Sequence, residues 1–198
     1  MAASPTKFGH VLTLVMADGA TPAAALATTA VVFHTAEQLV ILFEGHYTHL
    51  RTSSTTRRLR TSGKTPNLWE QSDVFEFFIG PQARKTQVYK EFQVAPDGRW
   101  LDLAVIHQNG SFRGDDGWSS GCQCRSAVDE KSQVWRSLIE IPWKAIMGEE
   151  NSQSDWHCNF YRASGRFHGD ELLAWSPTGV APGSFHRTEC FGNLDIEI

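Results

Sequence analysis

Short runs rich in β-branched and aromatic residues recur along the chain, and clusters of Gly, Pro, Asn, Asp and Ser separate them. The runs cover residues 7–16, 28–34, 38–44, 73–79, 88–94, 101–106, 124–128, 133–141, 157–161, 172–176 and 193–198. Antiparallel strands joined by tight turns have this composition and spacing. Only 142–148 has the initial proline and final glycine of a short helical turn. The sequence therefore predicts an all-β chain: a two-sheet antiparallel β-sandwich of the jelly-roll type with one helical turn.

Length and charge narrow the class of protein further. The chain has 198 residues, which at roughly 150 residues per domain predicts one domain over 1–198, with 1–27 the least certain part. Its 18 basic residues are outnumbered by 22 acidic ones, which argues against a nucleic-acid partner. The apolar stretch at 11–16 is too short for insertion into a membrane, and no signal-peptide pattern is recognisable.

Alternation along two neighbouring predicted strands places polar side chains on one face. Glu76 interrupts an apolar strand, where an unpaired carboxylate would be costly. The next strand carries Tyr89, Glu91 and Gln93 on one face. Carboxylates and amides beside aromatic rings suit the hydroxyl groups and C–H faces of sugars. Two alternatives stay open: the glutamates form the acid and nucleophile of a glycosidase, or each pairs with an arginine such as Arg162.

Metal and haem binding have weaker support. Cys122 and Cys124 form a Cys-x-Cys pair without the second matching pair that zinc sites use. Free thiols are therefore favoured, with a disulfide to Cys158 or Cys190 as the alternative in an exported protein. The acidic turn at 114–117 lacks the spacing of an EF-hand loop. Haem ligation by the scattered histidines is a minor alternative.

A basic segment extends from residue 51 to residue 64, and no acidic residue occurs between Gly45 and Trp69. Its five cations are mixed with serines and threonines. This composition predicts a long, solvated and mobile loop over one face of the sandwich. Phosphate binding by the segment is the less favoured alternative.

Several segments, in order, resemble family-nine carbohydrate-binding modules. They are NLWEQSDVFEFFI at 67–79, YKEFQVAPDG at 89–98, IEIPWKAI at 139–146, NFYR at 159–162, and the tail from AWSPT at 174–178 to FGNL at 191–194. Residues 29–44 are also similar to the early strand pair of the family. The resemblance covers about residues 28–198. It implies a DOMON-like β-sandwich, with calcium bound in some members and a sugar held between two aromatic rings.

The resemblance also implies which residues contact the sugar. Trp69 occupies the position of the first aromatic wall, while Glu76 and Glu91 fall at ligand-facing strand positions. Arg162 lies on the NFYR strand and is expected to join them as a hydrogen-bond donor.

The second aromatic wall is less well defined by the motifs. Phe185, six residues before Phe191, stands where the family has a tryptophan, and this departure predicts weaker stacking. Trp175 is the other candidate, and His186 is expected to hydrogen-bond the ligand. Trp135 and Trp143 lie in amphipathic segments and are expected in the core.

The expected function is therefore non-catalytic binding of a mono- or oligosaccharide. By resemblance, such a protein acts beside glycoside hydrolases in polysaccharide breakdown, in an extracellular or periplasmic setting. A small glycoside-acting enzyme and a haem- or metal-binding DOMON relative are the alternatives. The identity of any metal ligands stays unknown at this point.

Overall fold

The computed structural model describes residues 11–52, 64–81, 87–108, 111–115, 117–147, 155–164, 172–179 and 185–195. Within these ranges the strands form two antiparallel sheets, as the sequence predicts. The first sheet has the order β1 (Val11–Thr13), β3 (Thr28–His34), β4 (Gln38–His46), β10 (Val134–Pro142), β9 (Gln123–Asp129). The second has the order β2 (Val15–Met16), β12 (Leu172–Ala174), β11 (Asp155–Ala163), β5 (Val74–Pro81), β6 (Val88–Val94), β7 (Trp100–Gln108), β8 (Ser111–Asp115), and β13 (Gly192–Asp195) also pairs with β11.

Aromatic side chains fill the space between the two sheets. Alternation along β5 directs Phe75 and Phe77 inward, where both are fully buried. The Phe75 ring stacks on Trp135 of β10 with a centroid distance of 3.7 Å and on Phe43 of β4 at 4.9 Å. Each fully buried ring contributes about 1.5–3 kcal/mol. Trp143 is also buried, so both tryptophans predicted for the core lie in it.

Helices are short in the described ranges. The predicted helical turn is present as α2 (Trp143–Met147), and the indole N–H of Trp143 donates to the carbonyl oxygen of Thr35. A second helix, α1 (Leu68–Gln71), was not predicted, and it follows Asn67 in a left-handed conformation. Single turns of 3₁₀ helix occur at Ala24–Leu26 and Thr188–Cys190. No helix in the described part of the chain is long and apolar enough to cross a bilayer.

Arg162 on β11 links the two sheets. Its side chain is buried, and Nη1 donates to the carbonyl oxygen of His46 at 2.6 Å and to Oγ1 of Thr28 at 3.0 Å, both in the first sheet. Gly45 makes room for it, since a Cβ there would come within 3.0 Å of Nη1. Arg162 pairs across the ladder with the inward-facing Phe75. This corrects its predicted place among the ligand contacts.

The end of the basic segment is anchored in the fold. Lys64 forms an ion pair with the buried Asp102, with Nζ at 2.7 Å from Oδ1, and also donates to the carbonyl oxygen of Trp118. The hydroxyl of Ser120 donates to the other oxygen of Asp102 at 2.7 Å. Lys64 therefore has a structural role. The loop predicted over the rest of the segment lies largely outside the described residues.

All four cysteines are free thiols, as the sequence analysis favours, so the alternative of a disulfide is wrong. Cys122 and Cys158 are buried, while Cys124 and Cys190 are partly buried.

Candidate functional site

The outer face of the second sheet carries the polar residues that alternation predicts to lie together. Across the ladder, Glu76 on β5 pairs with Gln93 on β6, and Tyr161 on β11 pairs with Glu76. One step along the sheet, Phe78 pairs with Glu91. Paired residues project to the same side of a sheet, so these side chains form one surface, facing away from the core between the sheets.

A pocket of about 350 Å³ opens on this face. Its lining consists of Pro66, Asn67, Trp69, Glu91, Gln93, Leu101, Leu103, Val105, Phe112, Gly114 and His186. Two aromatic rings in the lining are solvent-accessible, Trp69 on α1 at 40% exposure and Phe112 on β8 at 39%. Glu91 and Gln93 are 3% and 2% exposed. The pocket thus combines exposed rings with a deeply placed carboxyl and amide.

Glu91 and Gln93 form the polar floor of the pocket. Nε2 of Gln93 donates to Oε1 of Glu91 at 2.7 Å. Among the described residues, the other Glu91 oxygen, Oε2, and the amide oxygen of Gln93 have no hydrogen-bond partner. Burial disfavours the ionised form of Glu91 and outweighs the opposing effect of the hydrogen bond from Gln93. The net result is a pKa raised to about 7. Both oxygens are buried, and they belong to residues that line the pocket, so a ligand that brings donors to this floor would satisfy them.

Glu76 lies on the same face but is absent from the pocket lining. It is 4% exposed and sits between Tyr161 and Gln93 in the ladder. Burial and, second, the nearby Glu91 raise the pKa of Glu76 well above its usual range. In the described part of the chain, neither glutamate forms a salt bridge, which argues against the alternative of arginine pairing. Glu76 therefore lies beside the polar residues of the pocket without forming part of its lining, and its raised pKa favours the neutral acid.

His186 forms part of the pocket wall and is fixed by aromatic neighbours. Its Nδ1 hydrogen-bonds to the hydroxyl of Tyr89. The imidazole stacks on Phe112 at a centroid distance of 5.0 Å and on Phe78 at 5.5 Å. Burial lowers the pKa of His186 to about 4, so the ring is neutral at pH 7. His186 therefore lines the pocket, and its contact with a ligand stays a prediction.

Neither candidate for the second aromatic wall lines the pocket. Phe185 is 8% exposed and stacks on Tyr161 at a centroid distance of 4.1 Å. Trp175 packs toward the core between the sheets, edge-on to Phe160 and over Gly192, where a Cβ would come within 2.4 Å of the indole. The second exposed ring of the pocket is Phe112 instead.

Phe112 was not among the residues predicted for the site, nor were the apolar lining residues Leu101, Leu103 and Val105. β8 is exposed throughout, so it lacks the apolar alternation that marks a half-buried strand. The sequence does contain a signal, the Asn-Gly pair at 109–110, which is typical of a tight hairpin turn; a strand returning beside β7 would place Phe112 and Gly114 on one face.

The described residues were predicted to offer few metal ligands, in the cysteine pair and in the acidic turn at 114–117. They contain no group of three or more His, Cys, Asp and Glu side chains that could hold a metal ion. Asp115, in the acidic turn considered for calcium, accepts the backbone N–H of Gly117 at 2.9 Å, as turn chemistry predicts.

The chain is similar to known proteins in its structure rather than in its sequence. No family model matches the sequence, and no curated protein matches it. A Bacteroides uniformis protein to which carbohydrate binding is provisionally ascribed superposes with a TM-score of 0.71 at 19% identity, over 96% of this chain and 87% of that one.

Family-nine carbohydrate-binding modules from Caldicellulosiruptor kristjanssonii are also similar. The complex with glucose has a TM-score of 0.60 at 10% identity, covering 99% of this chain and 92% of the module. The complex with cellotriose has a TM-score of 0.59 at 10% identity, covering 96% and 82%. The structural neighbours are thus carbohydrate-binding proteins, and the chain has the β-sandwich fold of the family-nine carbohydrate-binding modules that its motifs resemble.

Proposed function

We propose that the protein binds a sugar, without chemistry, in the pocket on the outer face of the second sheet. One observation carries the proposal: two exposed aromatic rings, Trp69 and Phe112, share a pocket with the unsatisfied acceptors of Glu91 and Gln93. Sugar rings present apolar C–H faces and hydroxyl donors together, so this combination matches their chemistry.

Stacking supplies the apolar part of recognition. Trp69 and Phe112 each keep about two fifths of their surface exposed, which a sugar ring would cover. Aromatic contacts contribute about 0.5–1.5 kcal/mol beyond the burial of area. Hydroxyl groups reaching Glu91 and Gln93 supply the polar part and fix the orientation of the ring. Two rings and one polar cluster predict modest affinity, because binding must first offset the lost freedom of the ligand.

The structural neighbours support a sugar as the ligand and indicate which sugars to test first. The Caldicellulosiruptor modules were crystallised with glucose and with cellotriose. These two sugars are therefore the first probes. Action beside glycoside hydrolases in polysaccharide breakdown, in an extracellular or periplasmic setting, belongs to the same proposal and follows from the family resemblance alone.

Replacing Trp69 or Phe112 by alanine is expected to weaken the binding of glucose and cellotriose by roughly tenfold each. Each ring offers stacking area that no other exposed aromatic ring of the described pocket replaces. Isothermal titration calorimetry measures the change. The titrations are run with calcium and again with a chelator, so that a calcium requirement becomes visible.

Val128→Ala is the matched control for these two variants. The exposed fraction of Val128 is 38%, similar to that of Trp69 and Phe112. Val128 lies on β9 of the other sheet, away from the pocket face. The control should bind as tightly as the wild type. Binding that survives both aromatic substitutions unchanged would place the sugar site elsewhere.

A glycoside-acting enzyme is the second candidate, and the raised pKa of Glu91 favours it. A carboxyl group with a pKa of about 7 can act as a general acid near neutral pH. Glycosidases also need a second carboxylate across the scissile bond, whereas Glu76 does not line the pocket. Turnover of a chromogenic glycoside that disappears in Glu91→Gln would support catalysis; no turnover across a broad panel would reject it.

A further inference from the structure

We propose that the preferred ligand of this pocket is an amino sugar whose protonated amine is held between Glu91 and Gln93. The inference rests on the proposed function and deepens it, because it names the class of sugar. Glucosamine is the simplest member of that class, and glucose and N-acetylglucosamine are its neutral counterparts.

The first argument is the charge of the pocket. Glu91 is the only acidic residue in the described lining, and no lysine or arginine lines the pocket with it. His186 is neutral at pH 7, as described above. The nearby Arg99 is turned to other partners, with Nε on Asp97 at 2.9 Å and Nη2 on Ser72 at 2.7 Å. A ligand cation would therefore be the counter-ion of Glu91 in this part of the structure.

The second argument is the polarity of the unsatisfied atoms. Oε2 of Glu91 and Oε1 of Gln93 are both acceptors, and neither has a hydrogen-bond partner among the described residues. An ammonium group has three N–H donors and no acceptor. It has enough donors for both oxygens, and its bond to an ionised carboxylate is stronger than the bond of a neutral hydroxyl.

The third argument is that the surroundings favour a cation. Glu76 pairs with Gln93 across the ladder and adds a second carboxyl group near Glu91, so the local potential is negative whenever either group ionises. Trp69 and Phe112 are partly exposed rings in the lining, and aromatic rings attract cations as well as sugar C–H groups. With a neutral sugar, the ionised form of Glu91 would be a buried carboxylate without a counter-ion.

Ionisation of Glu91 is coupled to this binding. The titratable groups near it include Glu76 on β5 and Tyr89 on its own strand, whose pKa values Glu91 raises, and His186, which shares the pocket lining. None of these is a cation at pH 7. An ammonium beside Glu91 stabilises the carboxylate, so binding of glucosamine near pH 7 should release a proton, whereas binding of glucose should not.

The test compares glucosamine, glucose and N-acetylglucosamine by calorimetric titration at pH 7. Glucosamine should bind about tenfold more tightly than either neutral sugar, as expected for one charge-assisted hydrogen bond in place of a neutral one. Repeating the glucosamine titration in buffers of different ionisation enthalpy should reveal proton release. In Glu91→Gln the ratio of glucosamine to glucose affinity should fall to about one.

Glu130→Gln is the control, since Glu130 is an exposed acid in the turn between β9 and β10. It should keep the tenfold preference, which separates Glu91 from the net charge of the protein. Glucose and glucosamine binding equally well to the wild type, or a preference retained in Glu91→Gln, would overturn this inference and leave the proposed function intact. No binding of glucose, cellotriose or glucosamine would overturn both.

Discussion

Arg162→Ala is expected to lower the free energy of unfolding by about 3–5 kcal/mol. The substitution removes a fully buried side chain and leaves the carbonyl oxygen of His46 without the donor that reaches it at 2.6 Å. It also deletes a connection between the two sheets, through Thr28 of β3. For a domain of this size the loss corresponds to a decrease in Tm on the order of 10 °C.

Chemical denaturation measures this change, with Arg136→Ala as the control. Arg136 is an exposed arginine on β10 whose Nε pairs with Oε2 of Glu44 at 2.6 Å, and such surface pairs contribute about 0–1 kcal/mol. Folded Arg162→Ala should bind glucose with the wild-type affinity, because the side chain lies on the opposite face from the pocket. Wild-type stability in this variant, or folded protein that no longer binds sugar, would contradict the assigned role.

Glu91→Gln should make the protein more stable than the wild type at pH 8, by about 3 kcal/mol. The pKa of Glu91 rises from 4.5 in the unfolded chain to about 7 in the fold, so folding takes up a proton between these values. Wild-type stability from this group therefore falls as pH rises through the window from 4.5 to 7. Glutamine has no proton to lose and can still accept the hydrogen bond from Gln93.

Thermal unfolding of the wild type and Glu91→Gln from pH 4 to pH 8 measures the effect. The two curves should lie close together near pH 4 and separate as pH increases, with the variant more stable. Glu130→Gln, an exposed substitution, should follow the wild type throughout. A stability difference that does not change with pH would contradict the raised pKa. If Glu91→Gln is more stable than the wild type at pH 8, the carboxyl group of Glu91 lowers the stability of the fold, as expected for a residue that serves ligand binding.

The faces of β5 and β6 could be predicted because strand alternation has a period of two. Glu76 interrupts an apolar run and Glu91 is flanked by Lys90 and Phe92, so each strand divides into two faces without any knowledge of its neighbours. The pairing of Glu76 with Gln93 then places the polar side chains on one surface. Trp135 could be assigned to the core for the same reason.

The neighbouring residues Tyr161 and Arg162 show where this reasoning fails. One must face outward and the other inward, and both are polar, so the sequence offers no contrast to decide between them. Register decides: Tyr161 pairs with Glu76, and Arg162 pairs with Phe75. Burial of Arg162 is acceptable because His46 and Thr28 supply acceptors, and these come from a distant part of the chain.

Phe112, the second exposed ring of the pocket, could not be predicted either, because its place depends on strand pairing. Spacing from Phe191 led to Phe185, yet a count along a loop gives no direction for a side chain. Phe185 packs on Tyr161 instead. Phe112 enters the site through the pairing of β8 with β7, and β8 lacks the hydrophobic pattern that would mark it.

Nuclear magnetic resonance tests the central claim, that a sugar binds against Trp69 over Glu91 and Gln93. In a ¹⁵N-labelled sample titrated with glucose, glucosamine and cellotriose, the indole N–H signal of Trp69, assigned with Trp69→Phe, should shift with at least one of the sugars. The backbone amide signals of Glu91 and Gln93 should shift with it. The indole signals of the buried Trp135 and Trp143 should stay in place. Saturating sugar that leaves the Trp69 signal unmoved, or that shifts signals only elsewhere, would contradict the account.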